Sequence, residues 1–101
     1  MGEEAGMYVV VARYLSAEDA ADEVARLLVE MEPLANEEPG CASYVTHRSI
    51  DDPRRFMLYE RYLDEAAFRA HTETEAFKRI VLGQIVPLLE ERVRDTYVTL
   101  V

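Results

Sequence analysis

Met7-Tyr8-Val9-Val10-Val11-Ala12-Arg13-Tyr14-Leu15 is rich in β-branched and aromatic side chains and is apolar at both alternating sets of positions. One set runs Met7, Val9, Val11 and the other Tyr8, Val10, Ala12. The stretch therefore reads as a central strand buried on both faces, and the fold must supply a layer on each side of it.

Working outward, Ser16 offers a helix N-cap with Asp19 three residues on. Ala20, Val24, Leu27, Leu28, Met31, Leu34 and Ala35 then recur at three- and four-residue spacing, the pattern of an amphipathic helix of about five turns. Asn36 to Gly40 breaks that helix, with Pro39-Gly40 as a tight turn. Ala42 to Ile50 and Arg54 to Leu63 are two further strand-like runs, joined through the turn residues Asp51-Asp52-Pro53 as a hairpin. Asp64 can cap a short helix, with Leu63 before it and Phe68 inside it as a hydrophobic staple. Thr74 can cap a second helical segment carrying Phe77, Ile80, Val81, Gln84, Ile85 and Leu88, which Pro87 kinks and which ends near Glu91. Arg92 to Val101 alternates as a last strand.

The order strand, helix, strand, strand, helix, strand is the α+β, ferredoxin-like βαββαβ pattern. Two helices cover only one face of a four-stranded sheet. The other face of Met7–Leu15 is apolar too, so a second copy of the chain is expected to cover it, giving a homodimer with two sheets packed face to face.

The 101 residues suit one domain, with residues 1–6 expected to be flexible. Twenty acidic against eleven basic residues give a net charge of -9, which disfavours nucleic acid and anionic membrane surfaces. No apolar run approaches the roughly 20 residues a membrane helix needs. The start Met1-Gly2-Glu3-Glu4 lacks the features of a signal peptide, so a cytoplasmic location is expected. The single cysteine, Cys41, agrees with a reducing compartment. It could serve as a nucleophile, but its place at a strand entry favours a structural role. With two histidines and one cysteine far apart, no metal-ligand spacing appears, and a structural zinc site is not expected.

His71 lies between Phe68 and Phe77, near the join of the two short helical segments. An imidazole titrates near neutrality, and beside aromatic surface it can take a proton from a bound substrate. It could equally be a helix-end residue that bonds a nearby carbonyl. Glu60 shares a strand face with Phe56, Leu58 and Tyr62, so its carboxylate is expected to be buried with a raised pKa. It could be catalytic, or paired with Arg13, Arg48 or another strand cation. His47, between Thr46 and Arg48, reads as a surface or dimer-contact residue.

Glu38-Pro39-Gly40-Cys41 followed by Tyr44, then Asp51 to Phe56, Leu58-Tyr59-Glu60-Arg61-Tyr62 and Phe68 to Phe77 resemble the antibiotic biosynthesis monooxygenase family. The resemblance runs from about Met7 to the end and implies a dimeric α+β barrel. Its members include quinol and anthrone monooxygenases, heme-degrading oxygenases and isomerases. His71 falls on the family's helix histidine, Glu60 on the glutamate of its third strand and Phe77 on the aromatic after the helix break. Glu75-Ala76 stands where similar proteins often have Pro-His, so a second imidazole is missing. Heme-degrading members carry a tryptophan at the place of His71, an axial histidine within the region of Lys78 to Val81, and an asparagine near Ala12. This chain has none of the three, and iron needs an axial ligand.

The expected function is a monooxygenase without metal or flavin that oxidises a small electron-rich aromatic, of the quinol, anthrone or polyketide type, with dioxygen. His71 would be the base and Glu60 its orienting partner or a substrate contact. Phe68 and Phe77 would line the pocket, while Tyr8 or Tyr44 would hydrogen-bond a quinone oxygen. The alternatives are a non-catalytic dimeric protein that binds a small apolar ligand and an acid–base isomerase of the same fold.

Overall fold

β1 (Tyr8–Ser16) occupies an interior position in a four-stranded antiparallel sheet of order β2-β3-β1-β4. The computed structural model describes residues 6–101, so the expectation of flexibility for the N-terminal residues falls, for 1–5, outside the described residues. The remaining elements are α1 (Ala21–Asn36), β2 (Cys41–Arg48), β3 (Arg55–Tyr62), α2 (Glu65–Thr72), a π-helix (Phe77–Ile85), a 3-10 turn (Val86–Leu88) and β4 (Leu89–Val98). This is the ferredoxin-like βαββαβ arrangement read from the sequence.

Register settles which side chains share a face. Tyr8, Val10, Ala12 and Tyr14 of β1 stand opposite Tyr62, Glu60, Leu58 and Phe56 of β3, on the side the helices cover. α1 closes this side by burying Val24, Leu27, Leu28, Met31 and Ala35 in the core. It also seals the outer edge of β2. The Asn36 amide donates to the Tyr44 carbonyl at 2.8 Å and accepts from the Tyr44 N–H at 3.0 Å, while Glu32 accepts from the Thr46 N–H at 2.9 Å. Side chains of a helix thus satisfy backbone groups that an edge strand leaves open.

Among the described residues, no layer covers the opposite face of the sheet. Val45, Tyr59, Val93 and Tyr97, all on that side by register, are 38–53 % exposed. Among the described residues no helix is long and apolar enough to cross a membrane.

Three local expectations are corrected. Ser16 does not cap α1: it ends β1, where its N–H bonds the Arg54 carbonyl at 2.8 Å, and α1 starts at Ala21 without a side-chain cap. The segment after Thr74 is a π-helix, whose last N–H, that of Val86, reaches the carbonyl of Val81 five residues back. Pro87 has no N–H to continue this ladder, so the helix stops there and β4 begins at Leu89, three residues before the expected start.

Candidate active site

α2 is eight residues long, and the only residue it buries is His71. Asp64 starts the helix by accepting the Ala67 N–H at 2.8 Å, as its place before the apolar pattern suggested. Thr74 finishes it: its hydroxyl donates to the His71 carbonyl at 2.9 Å and accepts the Phe77 N–H at 3.1 Å. The backbone around His71 is therefore tied at both ends, which fixes the direction of the imidazole.

The ring points into an aromatic cluster. Its centroid lies 5.0 Å from that of Phe77, 5.4 Å from Tyr62, 5.5 Å from Tyr44 and 6.2 Å from Phe68. Tyr8 joins the cluster through Phe68, at 5.5 Å. The Arg94 guanidinium lies 5.2 Å over the Phe68 ring and caps it from β4.

Glu60 stands at the floor of this cluster, opposite Tyr44 on β2 and Val10 on β1. It is 4 % exposed, and its hydrogen-bond partner is the Tyr62 hydroxyl, which donates at 2.6 Å. Burial pushes its pKa up to about 7, against the smaller opposing pull of the Tyr62 bond and of Arg94. Neither expected cation pairs with it, because Arg13 binds Asp95 and Arg48 binds Asp22.

The six residues singled out in the sequence, His71, Glu60, Tyr8, Tyr44, Phe68 and Phe77, thus lie in one cluster. The carboxylate bonded to His71 is nevertheless Glu38 and not Glu60. Both Glu38 oxygens lie near Nδ1, at 3.0 and 2.9 Å. Glu60 reaches His71 only through Tyr62, whose ring touches the imidazole and whose hydroxyl binds the carboxyl. The ring bonds a carboxylate, so the expectation of a helix-end bond to a carbonyl does not hold either. Burial lowers the pKa of His71, and Glu38 partly restores it, so the imidazole is neutral at neutral pH.

Glu38 and Tyr62, both quoted from the sequence, were given no role there, and Arg94 was not singled out. Tyr62 had a usable signal, since it lies two residues from Glu60 on the same strand face. Glu38 and Arg94 lie on other elements, and only the tertiary fold brings them to the site.

Other features carry less chemistry. Burial lifts the Cys41 thiol to about 11, so it is no thiolate nucleophile at neutral pH. His47 is exposed, with Nδ1 3.1 Å from the Met57 carbonyl. A largely apolar cavity of about 280 Å³ lies toward the opposite end of the strands, beside Arg13, Tyr14, Arg48 and Phe56. It borders none of the six residues, and its arginines are engaged in ion pairs.

Comparison with known proteins agrees with the fold. Similar solved structures include a Shewanella oneidensis protein, 30% identical, with a TM-score of 0.86 over 93% of this chain and 91% of that one. A Pseudomonas aeruginosa protein is 26% identical, with a TM-score of 0.89 over 97% of this chain and 98% of that one. A crystal structure named antibiotic biosynthesis monooxygenase is 28% identical, with a TM-score of 0.81 over 92% of this chain and 96% of that one. No protein of curated function matches. The family model described as antibiotic biosynthesis monooxygenase matches residues 7–81, from the start of β1 through the His71 helix into the π-helix, and the chain belongs to that family.

Proposed function

We propose that this protein is a cofactor-independent monooxygenase, a single-domain homodimer with one site per subunit, acting on a small electron-rich aromatic such as a quinol or an anthrone. The observation that carries the reading is the setting of His71: a buried, neutral imidazole walled by four rings and linked through Tyr62 to a carboxyl that titrates near 7. Family membership supports oxygen chemistry over other uses of such a site.

In this reading His71 takes a proton from the substrate, from the CH₂ of an anthrone or from a hydroxyl of a quinol, and leaves a carbanion whose charge is delocalised over the ring. The carbanion passes its electrons to dioxygen, and a carbon–oxygen bond forms to give a hydroperoxide. Loss of the second hydrogen from that carbon, together with hydroxide from the peroxide, leaves a carbonyl and water. For an anthrone the CH₂ group becomes C=O, one oxygen atom enters the product, and all four electrons come from the substrate. Glu60, poised near neutrality, supplies the proton that the peroxide needs. Phe68 and Phe77 line the site and Tyr8 and Tyr44 orient the substrate. Of the four rings beside His71 only Phe68 is partly exposed, so the substrate enters the site on its side, near Arg94.

Purified protein without added metal or flavin should consume dioxygen faster than the spontaneous rate with at least one of several quinols and anthrones. If none exceeds that rate, the monooxygenase reading falls. His71 and Glu60 together also suit an acid–base isomerase, which would turn over equally well without oxygen. A protein that only binds a small apolar ligand would be stabilised by it as strongly after His71→Ala. The homodimer is supported by the uncovered apolar face around Tyr59 and Tyr97, and a sedimentation-equilibrium mass of one chain at micromolar concentration would contradict it.

A further inference from the structure

We propose that Glu38 is the positioning residue of this site: held by the Glu38-Pro39-Gly40 turn, it keeps the ring proton of His71 on Nδ1 and presents Nε2 to the substrate. The role rests on the reading of His71 as a base. The contact it starts from is geometric, with both carboxylate oxygens within 3.0 Å of Nδ1 and with side chains only 1% and 15% exposed for His71 and Glu38. An ionised carboxylate only accepts hydrogen bonds, so the nitrogen facing it must carry the hydrogen. The lone pair is then on Nε2, which has no hydrogen-bond partner among the described residues. A base needs its free nitrogen on the substrate side, and the bond at the other nitrogen decides which one that is.

The turn is built to deliver this contact. The Glu38 N–H bonds the Ala35 carbonyl at 3.1 Å, the Glu38 carbonyl accepts the Cys41 N–H at 3.0 Å, and the Gly40 carbonyl accepts the Leu63 N–H at 3.0 Å. Gly40 lies directly against α2, where a Cβ would stand 2.5 Å from the Cβ of Ala67. Ala67 and His71 are four residues apart, hence stacked on one face of the same helix. The glycine therefore lets the turn approach α2 one helical turn before the histidine, and that approach sets the reach of Glu38.

Among the described residues, no other group facing the ring does the same work. From β2 comes Tyr44, from β3 Tyr62 and Glu60, from the π-helix Phe77, and from β4 the Arg94 charge, which opposes protonation of the imidazole. The Tyr62 hydroxyl is committed to Glu60. Of the charged groups acting on His71, Glu38 is the one that favours its protonated form, so it raises the basicity of Nε2 as well as orienting it.

The test is nitrogen NMR of the ¹⁵N-labelled full chain across pH, read at the two ring nitrogens of His71. In the wild type the neutral ring should show Nδ1 protonated and Nε2 bare, and the opposite assignment overturns the proposal. Glu38→Gln should lower the pKa of His71 and leave a mixture of tautomers; unchanged shifts and titration would also overturn it. Gly40→Ala should cause the same loss of the single tautomer with Glu38 still present, and adding Ala67→Gly should restore it; a Gly40→Ala protein that keeps the single tautomer contradicts the role given to the turn. Where turnover is detected, Glu38→Gln should lower kcat on the order of tenfold or more with little change in KM and should move the acid limb to lower pH. Should no substrate be oxidised at all, the monooxygenase reading fails, while the tautomer measurement still decides the role of Glu38.

Discussion

α1 and α2 pack on the same face of one sheet and do opposite things there. α1 is long, and it buries five residues, all apolar: Val24, Leu27, Leu28, Met31 and Ala35. α2 is half as long and buries one residue, a histidine. Placing an imidazole where a leucine would pack removes apolar contact and brings a group that must be hydrogen-bonded. A helix built for stability would not do this. The difference teaches that this domain takes its cohesion from α1, with Ile80, Val81 and Ile85 of the π-helix beside it, while α2 carries the histidine of the proposed site.

The largest effect expected from this comparison lies on α1. Leu27→Ala, at a position 1% exposed, should destabilise the protein by about 2–5 kcal/mol in denaturant unfolding, with turnover per folded molecule unchanged. A smaller cost there, together with an altered KM, would break the division between the two helices.

Next in size is Glu60. Its carboxyl ionises at about 7 in the fold against 4.5 for a free glutamate side chain, so the unfolded chain releases the proton first as pH rises. Stability is therefore full below pH 4.5, is lost as pH climbs toward 7, and levels off above it. Glu60→Gln keeps an acceptor for the Tyr62 hydroxyl and removes the titration. Its unfolding free energy should match the wild type near pH 4 and exceed it at pH 8, on the order of 3 kcal/mol. If Glu60 delivers a proton, the same variant should lose the alkaline fall in kcat that the wild type shows near its pKa.

Much of this was legible before the structure. The two apolar faces of Met7–Leu15 announced an interior strand, and Asp64 and Thr74 mark the ends of the helical segments they were expected to cap. These signals are local, a few residues in one stretch. The π-helix was hidden because Phe77, Ile80, Val81 and Ile85 recur at threes and fours, a spacing that an α-helix satisfies equally well. Ser16 misled because a serine before an apolar pattern has the same look whether it caps the helix or, as here, ends the strand before it. Glu38 was quoted within a recognisable motif and given no role. It lies 33 residues from His71, and the sequence contains no periodicity that joins a turn to a later helix. What the residues could not disclose were contacts between elements, and the site is made of such contacts.

The most direct test of the account is one variant measured two ways, His71→Gln. Glutamine fills similar space and can donate to Glu38, yet it cannot take a proton. The account predicts unfolding free energy within about 1 kcal/mol of the wild type, the smallest stability change of the series, and dioxygen uptake with a quinol or anthrone reduced to the spontaneous rate. Turnover that survives His71→Gln in a folded protein would contradict it.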